Sequence, residues 1–174
     1  MNKLTTATIS AITALATVAA PAMARSNYGD HMRLGRAVRS TGIQFKLNPS
    51  ECWQKSALGW YYAYGNEFVI CQENKRSVGV EVQWTEEDLD TLRHEAQHLI
   101  QDCMDGSRNG RLGAVYTDPV AVVKNTLSDR NIQGIIKSYS QLDDHAILME
   151  LEAFSVGAIN DPVEQAKDIQ NFCF

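Results

Sequence analysis

Residues 94 to 98 read His94-Glu95-Ala96-Gln97-His98. On an α-helix, residues four apart stand one turn above each other on the same face, so both imidazoles can reach one metal ion. Glu95, one residue along, then sits beside that ion rather than behind it. Two imidazoles with a carboxylate at the edge are the parts of a metal-assisted hydrolysis: two ligands for Zn2+ and a general base for a water molecule. An ordinary amphipathic helix can carry the same five residues, so the flanking sequence decides how much weight they bear.

The flanks supply a helix. Thr85 precedes Glu86-Glu87-Asp88, an N-cap followed by acidic residues in the first turn, where the helix dipole favours negative charge. Leu89, Leu92, Leu99, Ile100 and Cys103 recur at helical spacing, and Gly106 offers a stop. No proline interrupts residues 85 to 105, so the two histidines keep their i, i+4 relation.

Two histidines do not complete a catalytic zinc site, which needs three protein ligands and one open position. The chain has four histidines, leaving His31 and His145. An extended pattern with a third histidine would need glycine at 101 and histidine at 104, where this chain has Gln101 and Met104. The remaining common solution is a carboxylate from a later helix. Residues 145 to 159 are strongly apolar and helix-favouring, yet hold Glu150 and Glu152 in their middle. Burying an unpaired carboxylate costs several kcal/mol, and a metal is one partner that removes the cost. The two are about 200° apart around a helix, so only one of them reaches a given ion. Glu150 is favoured, because it shares its face with Ala146, Ala153 and Gly157, small residues that allow a second helix close. Glu152 is the alternative ligand, or else a residue supporting the site or facing water.

An HExxH helix followed by Glu150-x-x-Ala153 on a downstream helix resembles the gluzincin metallopeptidases. The resemblance is confined to those two segments. It implies a minimal zincin-like core, His94, His98 and Glu150 as zinc ligands, Glu95 as catalytic base, and a peptide or protein substrate. Many families of that clan place Asp or Asn directly after the alanine to support a zinc-binding histidine, where this chain has Phe154. Asp102, one turn after His98, is a candidate substitute. A tetrahedral oxyanion also needs a donor, for which His145, Tyr116 and Tyr139 are candidates. Residues 78 to 82 are a candidate edge strand for an extended peptide.

The remaining sequence sets the setting. Lys3, an uncharged apolar run over residues 4 to 20 and Ala22-Met23-Ala24 read as a secretory signal peptide cleaved near Ala24. Residues 25 to 174 then form a single exported domain without a lasting membrane anchor, expected to be a monomer. The net charge of −5 and the lack of a basic stripe argue against nucleic acid as a partner. All four cysteines lie beyond the leader, which favours two disulfides. Three pairings are possible, and Cys52–Cys71 with Cys103–Cys173 is preferred.

Among the elements, residues 30 to 41 read as a helix capped by Asp30 and ended by Gly42. Residues 43 to 47 alternate as a strand, and residues 60–64 and 68–71 flank a Gly65-Asn66 turn. Residues 78 to 84 read as a further strand. Asp118-Pro119 and Asp161-Pro162 look like helix starts, and Ile132, Ile135, Ile136 and Tyr139 mark a helical face. The expected fold is α+β, a small antiparallel sheet followed by a helical half. Two rival functions come from other classes: an exported module that uses zinc only to hold two helices together, and a disulfide-stapled module without a metal.

Overall fold

The computed structural model describes residues 28–174, so the expected signal peptide at 1–24 lies outside the described residues. The architecture is α+β. In chain order come α1 (Tyr28–Ser40), β1 (Gln44–Leu47), a 3-10 turn (Ser50–Trp53), β2 (Gly59–Tyr62), β3 (Glu67–Ile70) and α2 (Glu86–Cys103). A helical half follows: α3 (Pro119–Thr126), α4 (Asp129–Ser138), α5 (Asp144–Ile159) and α6 (Pro162–Phe172). Among the described residues no helix is long and apolar enough to cross a membrane.

The sheet corrects the expectation of an antiparallel arrangement. Its strand order is β1-β3-β2, with β2 antiparallel to β3 and β1 parallel to it. The tight turn before Asn66, which has φ 52°, keeps β2 and β3 adjacent as a hairpin. The segment from Asn48 to Leu58 carries the chain across the end of β3 to its far side. It is fastened there by Asn48 N to Ile70 O at 2.9 Å, Cys71 N to Leu58 O at 2.7 Å, and the Cys52–Cys71 disulfide. A linker long enough to cross puts β1 on the outer edge of β3, where the same-direction pairing is the one left.

Residues 78 to 84 form no strand, a second correction. Gly79, at φ +71°, breaks the extended run, and side chains in place of a ladder hold the rest. Gln72 Oε1 accepts from Val82 N at 2.8 Å while its Nε2 donates to Val82 O at 2.9 Å. Asn48 Nδ2 donates to Val80 O at 2.8 Å. Val78 and Val80 stay 62% and 51% exposed, so the alternating valines have no core to face.

The helix signals sit close to their expected places. Thr85 caps α2 through a full capping box with Asp88, and Asp118 and Asp161 cap α3 and α6 with proline following. Helix α1 begins at Tyr28, which places Asp30 in its first turn and not at the cap. The main core joins Leu34 and Val38 of α1, Tyr61, Phe68 and Ile70 of the sheet, and Leu92, Ala96, Leu99 and Ile100 of α2. A separate cluster of Val123, Ile135, Tyr139 and Leu151 binds α3 and α4 onto α5. Both disulfides, Cys52–Cys71 and Cys103–Cys173, pair as preferred. Such bonds form and persist in oxidising compartments.

Candidate metal centre

Helix α2 lies on the sheet with its polar stripe turned inward. Contact is close at Gly59 of β2, where a Cβ would stand 3.2 Å from Glu95 Cγ and 2.7 Å from Thr91 Cγ2. Helix α5 packs against α2 and brings Glu150 to the two histidines.

His94, His98 and Glu150 each offer one ligand atom, and these atoms all lie within 4.8 Å of one another. His94 Nε2 and His98 Nε2 are 3.0 Å apart. Glu150 Oε2 is 3.4 Å from the first and 3.5 Å from the second. Their exposures are 4% for His94 and 1% for His98, Glu95 and Glu150. Two nitrogen lone pairs cannot face each other at that distance in a dry interior without a proton or a cation between them. Neither oxygen of Glu150 makes a well-formed hydrogen bond, although both are buried. Two imidazoles, one carboxylate and spare lone pairs fit a metal ion, and this group can hold one.

The charges respond to that crowding. Burial disfavours the imidazolium of His94 and lowers its pKa. At His98 the burial penalty is outweighed by the Glu150 carboxylate, and the pKa is pushed up to about 9. Glu150 resists its own burial because the two rings, His98 foremost, hold its carboxyl well below the usual range. Burial pushes Glu95 up to about 8, with Glu150 adding to the shift and His98 opposing it. Neither oxygen of Glu95 makes a well-formed hydrogen bond.

The supporting shell differs from the sequence expectation. Asp102 does not touch a histidine; it accepts from Tyr61 Oη at 2.5 Å and from the amides of Asn109 and Gly110 at 3.2 and 2.6 Å. Its place beside the site is taken by Gln101, whose Oε1 lies 2.8 Å from His98 Nδ1. The available signal was helical spacing, since Gln101 follows His98 by three residues and shares its face. Phe154, standing where a polar group was expected, packs its ring 4.4 Å from the His94 ring. Glu152 does not join the ligand group. It is fully buried and accepts from Val115 N, Tyr116 N and Gln101 Nε2.

The three oxyanion-donor candidates separate by their partners. His145 Nε2 bonds Leu112 O at 2.7 Å, and Tyr116 Oη shares bonds with the Asn160 amide at 3.0 and 3.3 Å. Tyr139 Oη is buried with no well-formed hydrogen bond. Burial raises its pKa, and the charges of Glu150 and Glu95 raise it further, which places the phenol beside the ligand group.

No curated protein and no solved structure matches this chain. A family model does match, over residues 15–174, and the chain therefore belongs to the family described as Domain of unknown function (DUF8637).

Proposed function

We propose that this protein is an exported zinc-dependent metallopeptidase of gluzincin type. The observation that carries the reading is the convergence of His94, His98 and Glu150, with Glu95 buried and close enough to feel the charges of His98 and Glu150. The donor set of two nitrogens and one oxygen suits Zn2+ and leaves a fourth position open. The two disulfides and the leader read from residues 1–24 support export.

When bound, the zinc ion would supply a water of pKa near 7 and polarise the scissile carbonyl. Glu95 does the proton work. Burial and the Glu150 charge hold its pKa up at about 8, and beside a bound dication Glu95 would ionise and serve as the base. As base it takes the proton of the attacking water, and as acid it returns that proton to the departing amine. Tyr139 Oη is the oxyanion donor we favour, since its hydroxyl faces Glu150 without a well-formed hydrogen bond, whereas His145 and Tyr116 are tied to Leu112 and Asn160.

Burial of all four site residues favours a second reading, in which a metal only ties α2 to α5. Hydrolysis needs this buried site to open to a peptide. The two readings part at Glu95, because a tie between helices gains nothing from a base next to the metal. The test compares zinc-loaded parent and Glu95→Gln on a mixed peptide substrate, with zinc content measured in both. Peptidase chemistry requires cleavage by the parent and a loss of roughly 10²–10⁴-fold in the variant at unchanged zinc content. Equal cleavage by both, or an inert parent with stoichiometric zinc, would sink it.

A further inference from the structure

Glu152 stands two residues after Glu150 on α5, fully buried, and contributes no atom to the ligand group. Its carboxylate is nevertheless well occupied. Val115 N donates to it at 3.1 Å, Tyr116 N at 3.1 Å, and Gln101 Nε2 at 2.8 Å. Gln101 Nε2 also donates to Met149 O at 3.0 Å.

These contacts determine which way the Gln101 carboxamide faces. An amide nitrogen only donates, and both of its neighbours, a carboxylate and a carbonyl, only accept. The nitrogen is thus held on the α5 side, and Oε1 is turned to His98 Nδ1 at 2.8 Å. A carbonyl oxygen only accepts, so Nδ1 must carry a hydrogen. In the neutral ring the lone pair is then at Nε2, the atom that faces His94 Nε2 and Glu150. Turned the other way, the carboxamide would offer hydrogens to Nδ1 and favour the tautomer with Nε2 blocked. His94 has no such partner at Nδ1 and is oriented by packing against Phe154.

We propose that Glu152 is a positioning residue which, through Gln101, locks His98 in the tautomer that donates to a metal from Nε2. The inference rests on the metal-site reading and adds to it a residue outside the ligand set. Glu152 belongs to the site by what it does to an amide, and its bonds to the amides of Val115 and Tyr116 place that chain segment in the same relay.

The test removes the Glu152 charge and reads zinc affinity. In Glu152→Gln the new side chain must keep its oxygen toward the Val115 and Tyr116 amides, so its NH2 meets that of Gln101 and turns it over. Zinc affinity, measured by competition with a chelator, is expected to weaken about 10–100-fold. In a Gln101→Ala background the same Glu152→Gln change should weaken zinc by less than about twofold more, because its effect passes through the 101 amide. A residue that merely anchored the 115–116 segment would lower thermal stability and weaken zinc equally in both backgrounds. Affinity within twofold of the parent in Glu152→Gln, or an undiminished loss in the Gln101→Ala background, overturns the proposal. Nitrogen NMR of neutral His98 in the metal-free parent decides it independently: a proton on Nδ1 is expected, and one on Nε2 overturns it even if the variants fail to fold. A parent that binds no zinc yet shows the Nδ1 proton refutes the metal reading and leaves the relay standing.

Discussion

His98 Nε2 points at His94 Nε2 across 3.0 Å in an interior that the solvent does not reach. A proton or a cation must sit between them, and the two occupants make the protein respond to pH in opposite ways. Without metal, Glu95 and His98 have folded pKa values raised to about 8 and about 9. A raised folded value stabilises below the unfolded pKa and is lost as pH climbs through the folded one. Glu150 is depressed, so its contribution exists above its unfolded pKa and is lost only in acid. Chelator-treated protein should therefore melt lower by roughly 5 °C or more as pH rises from neutral to alkaline. Zinc displaces the same protons, so its affinity should rise with pH and the alkaline loss should vanish in loaded protein. Glu95→Gln should remove the part of the chelated profile that declines between the ordinary carboxylate range and about 8. Thermal melts at a series of pH values, with and without zinc, check all three.

Tyr139→Phe tests the proposed oxyanion donor. The buried hydroxyl faces Glu150 short of a well-formed hydrogen bond, so deleting it should change stability by about 1 kcal/mol or less. Zinc affinity should not move, because the phenol is not a ligand. Peptide cleavage should fall roughly 10²–10³-fold in kcat. A variant that cleaves like the parent would remove Tyr139 from the mechanism.

Gly59→Ala probes the seat of α2 on the sheet. The added methyl would stand 2.7 Å from Thr91 Cγ2 and 2.8 Å from the Val69 carbonyl, a backbone atom that cannot swing away. Overpacking of this kind costs about 1–3 kcal/mol. The melting temperature should fall by roughly 3–10 °C. Zinc affinity should also weaken, since the shift is passed to the turn of α2 that carries Glu95 and the histidines. Calorimetry together with chelator competition separates the two effects.

The disulfides should differ in worth. Cys103–Cys173 closes a separation of 70 residues and Cys52–Cys71 one of 19. Loop-closure entropy assigns them about 4 and about 3 kcal/mol respectively. Replacing Cys103 and Cys173 together by serine should lower the melting temperature more than the same change at Cys52 and Cys71. It should also loosen α6 from the C-terminal end of α2, which hydrogen exchange in Pro162–Phe172 would register.

Much of the site is local and therefore legible along the chain. The i, i+4 relation of His94 and His98 follows from helix geometry, and the helix from Thr85, its acidic first turn and its apolar period. Glu150 stands out because a carboxylate in an apolar helix needs a partner. The cysteines read as two disulfides from their even number and the leader.

What the chain could not supply is whatever depends on how elements cross. The sheet is mixed because the Asn48–Leu58 linker passes over the end of β3, a path that strand alternation does not encode. Residues 78 to 84 alternate like a strand, yet Gly79 breaks the extended run and Gln72 and Asn48 side chains hold the rest. The support of His98 passes from Asp102 to Gln101 because α2 is rotated to aim Asp102 at Tyr61. Glu150 and Glu152 look alike in one dimension, and the crossing of α5 over α2 gives one carboxylate to the histidines and the other to an amide. Sequence determines which residues can do chemistry, since that resides in their types and their spacing along a helix. Tertiary structure decides which of them meet, since packing alone sets the distance between side chains on different helices.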